Sequence, residues 1–280
     1  MGERRFTNVL LLNSNTIIFP EKTNEFTTKN GYSRPNMKDL EDVKKIAVLI
    51  DSDNTIHGKI KPILDEIATH GHIGIKRAYG DWSSESLKKI KATLIELAVH
   101  PIQQFTYTSG KNSTDISMVI DAMDLLYTRK YDAFALISSD SDFTKLAIRI
   151  KEENVFVFGF GEQKTPPSFR NACDDFIFIE NIGKQSESKI DIDVSRPDVK
   201  EVISLLTTAW NQEKDEDGWA GVAQAGNLLK RQKPDFDPRA FGVSKIPQLI
   251  SKLPSVFETK KFKKGEATIT EFRLKSQTGK

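Results

Sequence analysis

The chain has 280 residues, a net charge of +2 and 29% charged residues, a length that admits one α/β domain of ordinary size and a second, smaller one. A single cysteine, Cys173, excludes an intramolecular disulfide, and its neighbours Ala172 and Asp174 make no redox or zinc motif, so a core thiol is expected. No apolar run approaches the roughly 18 to 20 residues that cross a bilayer, and residues 9–12 are too short for a signal-peptide core, so a cytoplasmic protein without a membrane partner is expected.

Residues 1–36 read as a poorly ordered extension, because 13–35 are rich in Asn, Thr and Lys and hold no sustained period. Strand and helix patterns then alternate as in βαβ units. Residues 46–50 form a short apolar strand, and 60–69 a helix with Ile60, Ile63, Leu64, Ile67 and Ala68 on one face and Gly71 as its C-cap. Residues 73–79 make the second strand, and Ser83 or Ser84 caps a helix that uses Leu87, Ile90, Leu94, Leu97 and Ala98. A third strand is expected at 103–107, a helix at 115–127, a fourth strand at 133–137, a helix at 143–151, and further strands at 155–160 and 176–179. Short right-handed crossovers of this kind predict an α/β three-layer sandwich with a mostly parallel central sheet over 37–182.

Residues 183–195 are polar and read as a linker. Over 196–276 apolar positions mark three helices, near 199–206, after Trp219 to Ala225, and at 246–253, and Ala267, Ile269, Phe272 and Leu274 around Thr268, Thr270 and Arg273 suggest a closing hairpin. That is a small winged-helix-like α+β domain. From Leu228 onward there are 13 Lys or Arg against 5 Asp or Glu, and Lys260, Lys261, Lys263 and Lys264 form a basic turn, a candidate polyanion surface.

The chemistry concentrates in acids that follow predicted strands. Asp51-Ser52-Asp53-Asn54 follows the first, Ser138-Ser139-Asp140-Ser141-Asp142 the fourth, and Asp115 opens a helix behind Gly110-Lys111-Asn112-Ser113-Thr114. The carboxyl ends of parallel strands are where open α/β sheets place their sites. Carboxylates converging there repel one another unless a divalent cation sits between them, which points to Mg²⁺ or Mn²⁺ and phosphoester chemistry. Asn54 can orient water or bond a phosphate oxygen, and Ser138 and Ser139 can support the acids from behind. For Asp51 and Asp115, helix capping is the structural alternative. Candidate substrate-backbone contacts are Arg77, Lys111, Lys164 and Arg170. Gly159-Phe160-Gly161 lacks the glycine spacing of a dinucleotide site.

Residues 46–180 resemble the NYN domain of the PIN-like nuclease superfamily, in its LabA-like branch. The matching segments are 48–54, Arg77-Ala78-Tyr79-Gly80-Asp81-Trp82, 111–115, 136–143, and Gly161-Glu162 through Cys173-Asp174. Residues 195–275 resemble an OST-HTH (LOTUS) domain through Asp217-Gly218-Trp219-Ala220, 226–229, Phe241-Gly242 and Leu249-Ile250. The resemblance implies a metal-dependent ribonuclease with Asp51, Asp115, Asp140 and Asp142 as the metal-binding and catalytic set, Asn54 beside them, and single-stranded RNA as partner. Such a site would activate a water for in-line attack on phosphorus. It also implies an RNA-binding second domain, with a protein partner for that domain and the oligomeric state left open. Two alternatives stand beside it. Asp51-Ser52-Asp53-Asn54-Thr55 also fits the opening motif of haloacid dehalogenase-like phosphatases, with Asp51 as nucleophile, Asp53 as acid and base, and Asp140 or Asp142 helping to hold Mg²⁺. A non-catalytic RNA-binding adaptor would retain the acids only to grip metal or RNA.

Overall fold

The computed structural model describes residues 44–53, 57–105, 113–184, 192–264 and 267–275. The predicted extension 1–36, most of the predicted linker (185–191), Asn54 and Lys111 lie outside the described residues.

Six parallel strands build the first sheet: β1 (Lys45–Asp51), β2 (His72–Gly80), β3 (His100–Gln103), β4 (Ala133–Ile137), β5 (Phe156–Gly161) and β6 (Asp175–Phe178). Their spatial order is β3-β2-β1-β4-β5-β6. β1 and β4 are the central strands, and their continuous apolar sequences follow from burial on both faces. Alternate residues serve opposite layers. Ile46, Val48 and Ile50 pack on one side with α1 (Ile60–Ala68) and α2 (Glu85–Glu96). Ala47 and Leu49 pack on the other with α3 (Ser113–Tyr127), α4 (Thr144–Glu152) and α5 (Pro167–Ala172). This is the expected three-layer sandwich. The chain winds outward from β1 in one direction and from β4 in the other, so a crevice opens between their carboxyl ends.

Three local expectations shift. The third strand lies at His100–Gln103, ahead of the predicted 103–107, because these residues follow Arg77–Gly80 of β2 in register; Pro101 is tolerated there because β3 is an edge strand. Helix α5 at Pro167–Ala172 was not expected, yet Pro167 at its start is preorganised for a first helical turn. Gly71 lacks the positive φ of a C-cap; a Cβ there would lie 2.5 Å from the Lys44 carbonyl oxygen, so close approach explains the glycine.

The C-terminal part contains α6 (Pro197–Glu213), β7 (Ala220–Gly221), α7 (Val222–Gln232), α8 (Ile246–Ser251) and the hairpin β8 (Phe257–Lys264) and β9 (Ala267–Leu274) around its own core. Lys260, Lys261, Lys263 and Lys264 lie within strand β8 and not in a turn. This part rests against the edge of the first sheet. The Phe176 N–H of β6 donates to the Pro234 carbonyl at 2.9 Å, so part of an exposed strand edge is covered. Around it Arg170 pairs with Asp235, Lys230 with Asp175, and Arg239 with both Asp237 (3.0 Å) and Glu66 (3.1 Å). Asn181 is buried and donates to Asp237 at 3.3 Å.

Candidate metal centre

Asp51 closes β1 and is fully buried. Its Oδ2 accepts the Ser138 hydroxyl at 2.6 Å and its Oδ1 accepts the Asp53 N–H at 3.1 Å. The Ser138 oxygen in turn accepts the Asp140 N–H at 3.0 Å, so one buried hydroxyl ties the end of β1 to the loop after β4. Asp140 caps the 3-10 turn Ser141–Phe143 by accepting the Asp142 N–H at 2.9 Å. A Cβ at Gly161 would lie 2.7 Å from the Ser138 carbonyl oxygen, so glycine at the end of β5 lets this loop close down. Ser139 turns away and accepts the Glu162 N–H at 2.9 Å.

Asp115 stands in the first turn of α3 and faces that loop. One carboxylate oxygen from each of Asp115, Asp140 and Asp142 lies within 4.8 Å of the others. Burial, followed by the charges of Asp51, Asp140, Asp142 and Asp53, pushes the Asp115 pKa up to about 6. Hard oxygen donors gathered at this spacing, with mutual repulsion to be relieved, form a group that could hold a metal ion. Of the four predicted acids, the structure thus brings three together, and Asp51 stands beside them, engaged by Ser138 and the Asp53 backbone.

The predicted cationic contacts are dispersed. Arg77 on β2 pairs with Asp121 of α3, which also accepts the Tyr79 hydroxyl. Lys164 is exposed and pairs with Glu162 at 3.2 Å. Arg170 faces the C-terminal part, paired with Asp235 and lying over the Phe178 ring at 5.6 Å. On β8, Lys260 pairs with Glu271 at 2.8 Å and lies 4.3 Å from the Trp219 ring centre. Lys261 and Lys263 are exposed on the opposite strand face, and Lys264 ends the strand opposite Ala267.

Residues 45–180 match the NYN domain model, and residues 194–267 match the OST-HTH/LOTUS domain model. The chain carries an NYN domain and an OST-HTH/LOTUS domain. An uncharacterized protein of Methanocaldococcus jannaschii is 27% identical over 182 residues, which span 63% of this chain and 69% of that protein. A Vibrio parahaemolyticus protein of unknown function is a solved structure similar to this chain, at 20% identity and a TM-score of 0.41, covering 48% of this chain and 91% of that one. An uncharacterized Nitrosomonas europaea protein aligns at 22% identity and a TM-score of 0.28, over 35% of this chain and 90% of its own. In the NYN domain the acidic centre sits at the β1/β4 crevice. Among the described residues no helix is long and apolar enough to cross a membrane.

Proposed function

We infer that the protein is a Mg²⁺- or Mn²⁺-dependent ribonuclease that hydrolyses phosphodiester bonds of single-stranded RNA, its OST-HTH module adding grip on the substrate. The observation that carries this reading is the convergence of Asp115, Asp140 and Asp142 within 4.8 Å at the sheet's switch point, with Asp51 beside them. A bound cation there supplies Lewis acidity for activating water and offsetting phosphoryl charge. The chain's own part is to hold its ligands in place. Asp140 is fixed through the Ser138 hydroxyl and its own cap on the Asp142 N–H, while Asp115 rides on the first turn of α3. Fixing ligands before binding limits the reorganisation needed as charge develops.

The phosphatase alternative gives Asp115 no task, whereas this site draws Asp115 into the ligand group. Phosphate grip falls less on Arg77 and Arg170, whose charges are already met by aspartates, and more on exposed lysines such as Lys261 and Lys263 in the second module. The reading is tested by Asp51→Asn, Asp140→Asn and Asp142→Asn, each assayed with matched single-stranded RNA and DNA in Mn²⁺. Loss of RNA cleavage in folded variants, with wild-type products ending in 5′-phosphate and 3′-hydroxyl, is expected. Wild-type rates in all three overturn the carboxylate mechanism.

A further inference from the structure

A groove of about 510 Å³ runs along the flank of α3, between that helix, strand β2 and the edge strand β3. Its walls combine Ile102, Ile116 and Ile120 with the amide of Gln104, the imidazole of His100 and the hydroxyl of Ser117. Ile116 and Ile120 are 59% and 58% exposed, and Phe105, next in sequence to Gln104, is 59% exposed. Large apolar side chains grouped at a concave surface mark a place that something covers.

The lining's charge says what does not. Among the described residues of its lining Arg77 is the cation, and Asp121 neutralises it while Asp124 remains. The groove is therefore neutral to acidic and offers a phosphodiester little, but it suits an uncharged, flat, hydrogen-bonding group. A second copy of the chain fits poorly: α3 carries Asp115, Asp121 and Asp124 and no Lys or Arg, so a two-fold contact through this helix sets acid against acid. Ser113, Ile116 and Ser117 of its lining flank Asp115 in the first turns of α3, so the groove and the acidic centre share one end of that helix.

We propose that this groove is a nucleobase subsite, taking unpaired bases of the RNA strand whose phosphodiester lies at the carboxylate group. The proposal rests on the nuclease reading and specifies its substrate: an unpaired strand, because a paired base has no free edge or face to present. The isoleucines cover the base faces, and Gln104, Ser117 and His100 meet base edges. Phosphates remain outside the groove.

The test uses the full chain in EDTA, so that binding is read without cleavage, and two fluorescent ten-residue probes: oligouridylate and the same backbone made abasic. Wild type is expected to prefer the base-bearing probe about tenfold, a factor in the range that base stacking and burial give. The surface double variant Ile116→Ser, Ile120→Ser is expected to lose that preference while keeping its melting temperature and its affinity for the abasic probe. An unchanged preference in the double variant overturns the subsite. Cleavage by wild type in Mn²⁺ separates the two ideas. If wild type cuts RNA and the double variant retains both KM and base preference, the subsite falls and the nuclease reading stands; if wild type cuts no single-stranded RNA, both fall. Sedimentation of wild type as a dimer that the double variant disperses would assign the groove to self-association and reject the proposal.

Discussion

Replacing Asp115 by Asn separates the candidate metal centre's effect on folding from the chemistry proposed for it. In the fold Asp115 holds its proton up to a pKa of about 6, against 3.8 for the unperturbed group, through burial and then the charges of Asp51, Asp140, Asp142 and Asp53. The folded state thus binds this proton more tightly than the unfolded state, so stability falls as pH rises from 3.8 to 6 and the whole deficit is present above 6. A shift of that size corresponds to about 3 kcal/mol for a group sealed from water, and solvent screening of this half-exposed carboxylate reduces it to about 1 kcal/mol. Without divalent cations at pH 7.5, Asp115→Asn should therefore melt about 2–4 °C above wild type, the shift expected for about 1 kcal/mol in a chain of this size. The advantage should shrink as the pH is lowered through 6 towards 4. Added Mn²⁺ should raise the melting temperature of wild type more than that of the variant, since the cation binds the native state alone. Calorimetry in EDTA and in Mn²⁺ at both pH values measures all of these quantities. A variant less stable than wild type in EDTA at pH 7.5 would refute the account of repelling, desolvated carboxylates.

Ser138→Ala removes the hydroxyl that links Asp51 to the Asp140 backbone, and should weaken Mn²⁺ binding by about 10- to 100-fold, as loss of ligand-supporting hydrogen bonds does; an unchanged calorimetric titration would place those carboxylates under other control. Arg239→Ala leaves Glu66 and Asp237 without their shared partner where the two modules meet, and should cost about 3 kcal/mol in urea unfolding, the lower end for a broken buried pair. A loss under about 1 kcal/mol would mean water replaces the guanidinium at little cost, as at exposed pairs. Changing Lys260, Lys261, Lys263 and Lys264 to Ala should weaken several RNA sequences alike and reduce the salt slope by about 0.7 for each phosphate no longer neutralised. An unchanged slope would leave this strand as solubilising surface.

Much of the architecture was written locally. The apolar runs of β1 and β4 announced strands buried on both faces, because only such strands need no polar alternation, and acids placed directly after them marked the carboxyl edge of the sheet. The helical face of α1 and the spacing of Asp140 and Asp142 were legible for the same reason, since periodicity and turn capping act over a few residues. Which charge answers which was not legible. Arg77 meets Asp121 across 44 positions and Arg170 meets Asp235 across 65, and both read from sequence as free cations for RNA. Strand order likewise decided that Asp51 turns to Ser138, 87 positions away, while Asp115 joins Asp140 and Asp142. The sequence by itself determined the two modules and most of their strands, and it offered a set of acids for a cation. Only the tertiary structure decided which acids share one space and which cations are already spent, because Coulomb and hydrogen-bond energies depend on distance through space and not along the chain.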